Sequence, residues 1–244
     1  MRLNCVLVAG GKWHDIDFAR VELLKLLGED ERVRVRVFED YADLDAIAGA
    51  DFLVSYTCDV VPTLAQQQAL RDYVAGGGRW LALHGTNSVL RFLDDGRIDT
   101  PDEAALLMDT LGTVFRAHPP IGPYLVERTR CQHALVDGIA AFEVTDELYL
   151  SETVAPIEVL LDTGFAGDAG RFVYNKWEQQ RHPVLYLRRL EQGAVLYLTL
   201  GHCRGHYDLQ PMVDFYPMVE RGAWELPVYY ELLRRALAWA RKEL

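Results

Sequence analysis

Several features are scarce or absent in this 244-residue sequence, and each absence removes a class of protein. The four cysteines are widely spaced and form no C-x-x-C pair, so we expect free thiols and not a disulfide framework. No apolar run approaches the length of a membrane span or of a signal-peptide core, which predicts no membrane partner. The net charge is -11 with no basic block, which argues against nucleic acid as a partner. Together these features predict a soluble protein of the cytoplasm.

The G-x-G-x-x-G fingerprint of dinucleotide-binding folds is also absent after the first apolar run. Residues 3–9, 51–56 and 80–83 are nevertheless short apolar runs, typical of parallel strands that are buried on both faces. Amphipathic segments lie between them. This alternation predicts a doubly wound, mostly parallel α/β sheet with right-handed crossovers, in a single domain over residues 1–244.

Local signals give boundaries to two of the predicted elements. Thr63 and Gln66 form a capping box at the start of a helix that ends at the glycine run 76–78. Residues 183–190 and 194–200 are apolar runs separated by Glu-Gln-Gly, which predicts a hairpin. The sheet is therefore expected to gain antiparallel strands on its C-terminal side.

Histidines follow the ends of predicted strands, where ligands bind in open α/β sheets. His84 and His202 each follow an apolar strand directly, and His14 lies in the loop after the first strand. Imidazoles that meet at one edge of a sheet are suited to acid–base chemistry or to a divalent metal such as zinc, which three histidines bind with one position open. The alternative is that each histidine bonds a backbone carbonyl and shapes a turn.

Asp146 and Glu147 are adjacent carboxylates that could orient a histidine or act as a general base. Because neighbours on a strand point to opposite faces, only one of them is expected in the pocket, and we choose Glu147. An exposed strand end explains the pair equally well. The predicted catalytic residues are thus His84, His202 and Glu147, and the predicted metal ligands, where a metal is bound, are His14, His84 and His202.

A set of short segments also occurs in one characteristic order. The set comprises Trp13-His14-Asp15, the helix over 63–74 with its glycine run, the strand ending in His84, Ala117-His118-Pro119, His133 before Asp137-Gly138, residues 146–149, Leu200-Gly201-His202 and residues 236–240. It resembles the ThuA-like (trehalose-utilisation) family of the class I glutamine amidotransferase-like superfamily. The resemblance covers nearly the whole chain and implies a flavodoxin-like fold and a role in sugar catabolism, on a disaccharide or an oxidised keto-sugar derived from one.

A carbohydrate substrate makes several further residues candidates for binding. The rings of Trp13 and Tyr149 are suited to stacking on the apolar face of a sugar, although aromatic residues fill protein cores by default. Asn87 lies at the start of the helix predicted after the strand that ends in His84, where its amide can donate hydrogen bonds to sugar hydroxyls. His118 lies in a loop within reach of the pocket. The predicted substrate-binding residues are His14, Trp13, Asn87, His118 and Tyr149.

The elbow at residues 83–87 differs from that of a glutamine amidotransferase. Such an enzyme needs a cysteine at the elbow, activated by a histidine, whereas this chain has Leu-His-Gly-Thr-Asn. The amidotransferase reaction is therefore not expected, because a fold can be shared while its chemistry is replaced. A Cys–His nucleophile formed by Cys58 or Cys203 is the second chemistry that the sequence allows.

Three further features lie beside the predicted pocket or between the predicted strands. Cys203 stands where the resemblance leads us to expect an acidic or polar residue, and residues 204–225 form a longer segment than usual. Apolar residues over 207–224 indicate either a lid or the contact of a homo-oligomer. Residues 164–170 are rich in glycine and predict a flexible loop.

The sequence therefore predicts a cytoplasmic enzyme that acts on a small carbohydrate. Histidine acid–base chemistry or metal-assisted chemistry would perform an isomerisation, an elimination or a hydrolysis. The alternative is a carbohydrate-binding or regulatory domain of the same fold without catalytic activity.

Overall fold

A computed structural model of the protein describes residues 2–244 and is built around one large sheet. The strands are β1 (Leu3–Gly11), β2 (Val33–Phe38), β3 (Phe52–Cys58), β4 (Arg79–Leu83), β5 (Arg91–Phe92), β6 (Ile98–Asp99), β7 (Thr113–Ala117), β8 (Gly122–Arg128), β9 (Phe142–Asp146), β10 (Leu150–Thr153), β11 (Glu158–Asp168), β12 (Lys176–Leu190) and β13 (Gly193–Leu198). The α-helices are α1 (Ile16–Leu27), α2 (Leu44–Ala48), α3 (Leu64–Ala75), α4 (Ala105–Leu111) and α5 (Pro227–Ala240), and short 3-10 helices cover His84–Asn87, Ala134–Val136 and Gly222–Glu225.

Within residues 2–244, nine strands form the central sheet in the order β2-β1-β3-β4-β13-β12-β11-β8-β9. Every pairing from β2 to β13 is parallel, and every pairing from β13 to β9 is antiparallel. Consequently β8 and β12 run against the direction of the other strands. The mostly parallel sheet confirms the predicted α/β class, and the hairpin of β12 and β13 confirms the predicted antiparallel strands.

Helices cover both faces of the parallel half because its strands carry apolar side chains on both faces. In β1, Leu7 packs in the core with α1 and α5, whereas its neighbour Val8 packs in the core with α2, α3 and α4. The helix α3 begins with the predicted capping box, since Thr63 and Gln66 bond each other's backbone. Among the helices of residues 2–244, none has the length and apolar character needed to cross a membrane.

The predicted flexible loop over residues 164–170 is wrong. β11 continues to Asp168, and its pairing with β12 extends to the opposed residues Asp168 and Lys176. Most side chains at this end of the ribbon are exposed, and the register shifts along it. Because neither face of this ribbon is buried, its sequence has no alternation of apolar and polar residues. The ribbon is held by backbone hydrogen bonds, which cannot be recognised from the side-chain pattern.

Sharp turns follow the parallel strands at the edge where the predicted histidines lie. His84 has a φ of 43° and Trp13 a φ of 72°, a left-handed conformation that costs a non-glycine residue of order 1–3 kcal/mol. Gly85 has no space for a side chain, because a Cβ there would lie 2.6 Å from the carbonyl oxygen of Thr57. The packing against β3 therefore holds the elbow in this strained form.

His182 in β12 is a further buried histidine. It packs beside Trp177 and Phe165, and its Nε2 has no hydrogen-bond partner within the described residues. Burial lowers the pKa of His182 from 6.5 to about 4. Its contribution to stability is therefore fully present above pH 6.5, where the unfolded histidine is neutral too, and is lost as the pH falls from 6.5 to 4.

We expect His182→Leu to make the protein more resistant to acid than the wild type. The wild type alone loses up to about 3 kcal/mol of unfolding free energy at this site between pH 6.5 and pH 4. Thermal unfolding of both proteins at pH 7.0, 5.5 and 4.0 measures the difference. A difference in midpoint that stays constant over this range would contradict the assignment.

Candidate metal centre

Four buried side chains converge at the carboxyl edge of the sheet: His14, His84, Glu147 and His202. They follow β1, β4, β9 and β13, which all run in the same direction. One donor atom from each lies within 4.8 Å of the donor atoms of the other three. The structure thus brings together the three histidines and the glutamate that the sequence singles out.

The shortest distance in this group, 2.9 Å, joins the Nε2 atoms of His14 and His84. Oε2 of Glu147 lies 3.5 Å from each of these nitrogens. Ligands about 2.1 Å from one ion lie roughly 3.0 Å apart at a right angle and roughly 3.4 Å apart at a tetrahedral angle. The three atoms therefore have the spacing of ligands to a single ion.

Backbone carbonyls determine which nitrogen of His14 and His84 faces the centre. Nδ1 of His84 lies 2.8 Å from the carbonyl oxygen of Thr199, and Nδ1 of His14 lies 3.3 Å from that of Lys12. Because a carbonyl oxygen only accepts, we assign the ring proton of each histidine to Nδ1. Both Nε2 atoms then direct a lone pair at the other, a repulsive arrangement that a cation between them would relieve.

His202 is held from behind by a carboxylate. Its Nε2 lies 2.8 Å from Oε2 of Glu220, whereas its Nδ1 is buried and has no hydrogen-bond partner among the described residues. Nδ1 is 3.2 Å from Oε1 of Glu147, but the two atoms are not aligned for a hydrogen bond. A histidine that binds a metal ordinarily donates its outer N–H to a carbonyl or a carboxylate. All three histidines of the centre have such an acceptor.

The carboxylates of Glu147 and Glu220 make the centre favourable for positive charge. Arg204 lies between them, 3.1 Å from Oε1 of Glu147 and 2.8 Å from Oε2 of Glu220. Burial lowers the pKa of His14 to about 3, but at His202 the two carboxylates outweigh burial and raise the pKa to about 9. Burial also disfavours the charge of Glu147, yet His202 holds the pKa of this carboxyl well below its usual range. A proton on His202 and a metal ion between the four side chains would therefore compete with each other.

Asp146 has a structural position next to the centre. Its fully buried carboxylate accepts the backbone N–H groups of Gly201, His202 and Ala223 at 3.1, 3.1 and 2.8 Å, and that of Glu147 at 2.7 Å. The carboxylate therefore joins the end of β9 to the loop that carries His202. Of the two adjacent acids, Glu147 is the one whose side chain reaches the histidines.

A cavity of about 440 Å³ opens beside the centre and reaches His14 and Glu147. We call it the aromatic cavity after its rings. Tyr149 is one of them, and its hydroxyl lies 3.4 Å from Nε2 of His84. The cavity is lined by the rings of Trp13, Phe92, Phe115, Tyr149 and Phe172, by the aliphatic side chains of Leu90, Ile98, Leu209, Met212 and Val213, and by Cys58, Ser88, Gly96, His118, Arg171 and Arg204.

Asn87 is the predicted substrate contact that the structure does not bring to the cavity. Its side chain is fully buried, with Nδ2 donating to Oγ1 of Thr113 at 2.7 Å and Oδ1 lying 2.9 Å from the hydroxyl of Tyr197. The same tyrosine donates to the carbonyl oxygen of His84 at 2.5 Å. The amide of Asn87 therefore supports the elbow from behind and has no free group for a substrate.

The cysteines do not have the surroundings of a nucleophile. Cys203 is fully buried beside the hydroxyl of Tyr56, and burial raises its pKa to about 12. Cys58 reaches the aromatic cavity, but burial raises the pKa of its thiol well above the usual range. A thiol that stays protonated at neutral pH is a weak nucleophile, so the geometry disfavours the Cys–His chemistry that the sequence allows.

Arg204 and Glu220 are residues of the site that sequence reasoning missed. Each accepts the backbone N–H of the other, at 2.9 and 2.8 Å, and this bridge closes the base of the loop between them. Both lie in the irregular segment after His202, where their charges were visible in the sequence. Without periodicity in this segment, nothing indicated that these two residues fold back onto the centre.

We expect Glu220→Gln to weaken zinc binding by roughly 10–100-fold, the usual cost of losing a charged partner behind a metal-binding histidine. The amide would still accept from Nε2 of His202 but would no longer attract positive charge. Competition with a chromophoric chelator measures the affinity. Glu225→Gln is the matched control, because Glu225 is an exposed acid nearby that makes no bond to His202. Equal affinities of the two variants would contradict the role of Glu220.

Comparison of the sequence with models of known protein families gives a match. The family model ThuA, described as trehalose utilisation, matches residues 5–224. The chain belongs to the ThuA family. The matched span contains all four residues of the centre, and the assignment confirms the resemblance seen in the sequence. No curated protein matches this ThuA sequence significantly.

Solved structures show the same fold at low sequence identity. A ThuA-like protein from Bacteroides uniformis is 17% identical with a TM-score of 0.67, and the match covers 98% of this chain and 91% of that chain. One from Parabacteroides merdae is 16% identical with a TM-score of 0.66 and coverages of 99% and 90%. A cold-adapted β-galactosidase from Rahnella sp. R3 matches with 13% identity and a TM-score of 0.57, over 100% of this chain and 32% of that chain. At these identities the likeness concerns the fold alone.

Proposed function

We propose that this ThuA-family protein is a metal-dependent enzyme of sugar catabolism that acts on a disaccharide or on a keto-sugar derived from one. The observation that carries the proposal is the convergence of three imidazoles and one carboxylate, with an acceptor behind each imidazole. Membership of a family described as trehalose utilisation supports a carbohydrate substrate.

The donor set fits a first-row divalent ion such as zinc. Imidazole nitrogens with one carboxylate oxygen are typical ligands of zinc and of neighbouring ions. His14, His84, Glu147 and His202 would hold the ion, and the unpaired Nδ1 of His202 supports a ligand role for that residue. A bound ion would supply a Lewis acid that polarises a carbonyl or hydroxyl oxygen of the substrate.

His118 has the geometry of a base beside this centre. Its Nδ1 lies 2.7 Å from the carbonyl oxygen of Pro119, so the ring proton is assigned to Nδ1 and Nε2 keeps its lone pair. Nε2 lies 3.8 Å from Oε1 of Glu147, and the side chain is a quarter exposed, on the wall of the aromatic cavity. The carbonyl of a keto-sugar acidifies the hydrogen on the adjacent carbon. Removal of that hydrogen by His118 would begin an isomerisation or an elimination.

The strand order, the extent of the sheet and the free cysteines support three further parts of the proposal: the flavodoxin-like fold, the single domain and the location in the cytoplasm. The parallel strands in the order β2-β1-β3-β4-β13 have the 2-1-3-4-5 order of flavodoxin-like folds. Strands from both ends of the chain share this sheet, which supports a single domain over residues 1–244. The four cysteines are free, in keeping with a reducing compartment such as the cytoplasm.

Hydrogen exchange tests the proposed reaction. Zinc-loaded protein is incubated in D₂O with glucosides oxidised to a ketone at one ring carbon, and deuterium at the adjacent carbons is followed by NMR. We expect exchange or conversion in the wild type, and a loss of at least about 100-fold in His118→Ala with the zinc content unchanged. His133→Ala is the control. Saturable binding without exchange or product would refute the enzyme and indicate a carbohydrate-binding domain.

A further inference from the structure

The walls of the aromatic cavity are apolar to a degree that the proposed sugar chemistry does not explain. Trp13 and Phe92 pack with ring centroids 5.0 Å apart. Phe115 packs against both Tyr149 and Phe172, at 4.5 and 5.6 Å. Five aromatic and five aliphatic side chains line one continuous space of about 440 Å³ beside the metal centre.

Most of the polar side chains of the cavity converge on one corner, around Glu147. His118 and Arg204 lie 3.8 and 3.1 Å from Oε1 of Glu147, and His14 lies 3.5 Å from its Oε2. Glu147 and Arg204 already form an ion pair with each other, and His14 faces the metal centre. The reacting sugar ring is assigned to this corner, next to the donor atoms of the centre, because the rest of the cavity offers few polar partners.

The polar groups left elsewhere in the cavity are few. Within residues 2–244, Nε1 of Trp13 and Oγ of Ser88 are buried without a hydrogen-bond partner, and Arg171 is exposed at the rim. A second sugar ring would bring several hydroxyl groups into this space. Most of them would lose their bonds to water without replacement, and binding sites reject groups that are left unpaired.

We propose that the aromatic cavity binds an aromatic aglycone, which extends the substrates of the proposed enzyme from disaccharides to glycosides of aromatic alcohols or phenols and makes these the preferred ones. The inference rests on the proposed function, because the sugar ring is assigned to the corner at the metal centre. An aromatic ring would pack on the walls edge to face, as the rings of the cavity pack on each other. A cavity of roughly 150 Å³ already accommodates benzene, so this one has room for a phenyl group together with a sugar ring.

Calorimetric titration of the zinc-loaded wild type tests the inference, with phenyl α- and β-D-glucopyranoside, the matching methyl glucosides and trehalose as probes. We expect a phenyl glucoside to bind at least tenfold more tightly than the matching methyl glucoside or trehalose. Phe92→Ala and Phe172→Ala should reduce this preference to less than threefold and leave the affinity for methyl glucoside unchanged. Leu64→Ala, at an exposed position of α3, is the control.

The results separate this inference from the proposed function. Tighter binding of trehalose, no binding of phenyl glucosides, or a phenyl preference that survives in both variants would overturn the aglycone site. Phe92 is 43% exposed, so Phe92→Ala keeps the test valid if Phe172→Ala does not fold. A phenyl preference in protein that binds no metal would support the aglycone site and refute the metal-dependent reaction.

Discussion

We expect His84→Ala to lower the zinc content of the purified protein from about one ion per chain to less than about a tenth. His84 supplies one of four donor atoms, and its Nε2 lies closest to that of His14. Structural zinc sites bind with roughly 10–16 kcal/mol in total, so one ligand in four is worth about 2.5–4 kcal/mol. The affinity should therefore fall by roughly 100–1,000-fold.

His182→Ala is the control for this variant, because it removes another buried histidine that lies outside the centre. It should keep the zinc content of the wild type. Elemental analysis after gel filtration measures all three proteins, and circular dichroism checks that each is folded. A folded His84→Ala protein with full zinc content would show that the ion binds elsewhere.

We expect Asp146→Ala to be among the most destabilising substitutions near the centre. It would leave the backbone N–H groups of Gly201, His202 and Ala223 buried without an acceptor, at about 1–3 kcal/mol each. The total of about 3 kcal/mol or more corresponds to a fall in melting temperature of at least roughly 6–12 °C for a chain of this size. Because the loop that carries His202 would loosen, zinc affinity should fall as well.

Glu143→Gln is the control for Asp146→Ala, since Glu143 is an exposed acid of the same strand. It should change the unfolding free energy by less than about 0.5 kcal/mol. Differential scanning calorimetry of the metal-free proteins separates the effect on stability from the effect of bound zinc. A melting temperature of Asp146→Ala within 2–3 °C of the wild type, on the scale of about 1 kcal/mol, would contradict the structural role of this carboxylate.

The sequence predicts the parts of the site that follow regular strands. His84 comes directly after β4, and His202 lies four residues beyond the end of β13. Because the carboxyl ends of parallel strands lie at one edge, the meeting of these two histidines follows from the strand pattern. His14 follows β1 by the same logic. The alternation of side chains along a strand predicted that only one of Asp146 and Glu147 would face the pocket, but it did not decide which of the two.

The remaining parts depend on contacts that no local pattern encodes. Arg204 and Glu220 reach the centre through a loop without periodicity, and the bridge between them joins residues 16 positions apart. Asn87 lies in the elbow after β4, where a substrate contact was predicted, but its amide forms hydrogen bonds with Thr113 and Tyr197 from distant strands. Sequence reasoning located the strand ends that matter, and the side chains that support them came from tertiary packing.

The metal content of the wild-type protein, purified without a tag and analysed by elemental mass spectrometry, tests the central claim most directly. We predict close to one equivalent of zinc or a neighbouring first-row ion per chain, removed by chelation and restored by added metal. Less than about a tenth of an equivalent, both as purified and after incubation with zinc or manganese, would contradict a metal centre formed by His14, His84, Glu147 and His202.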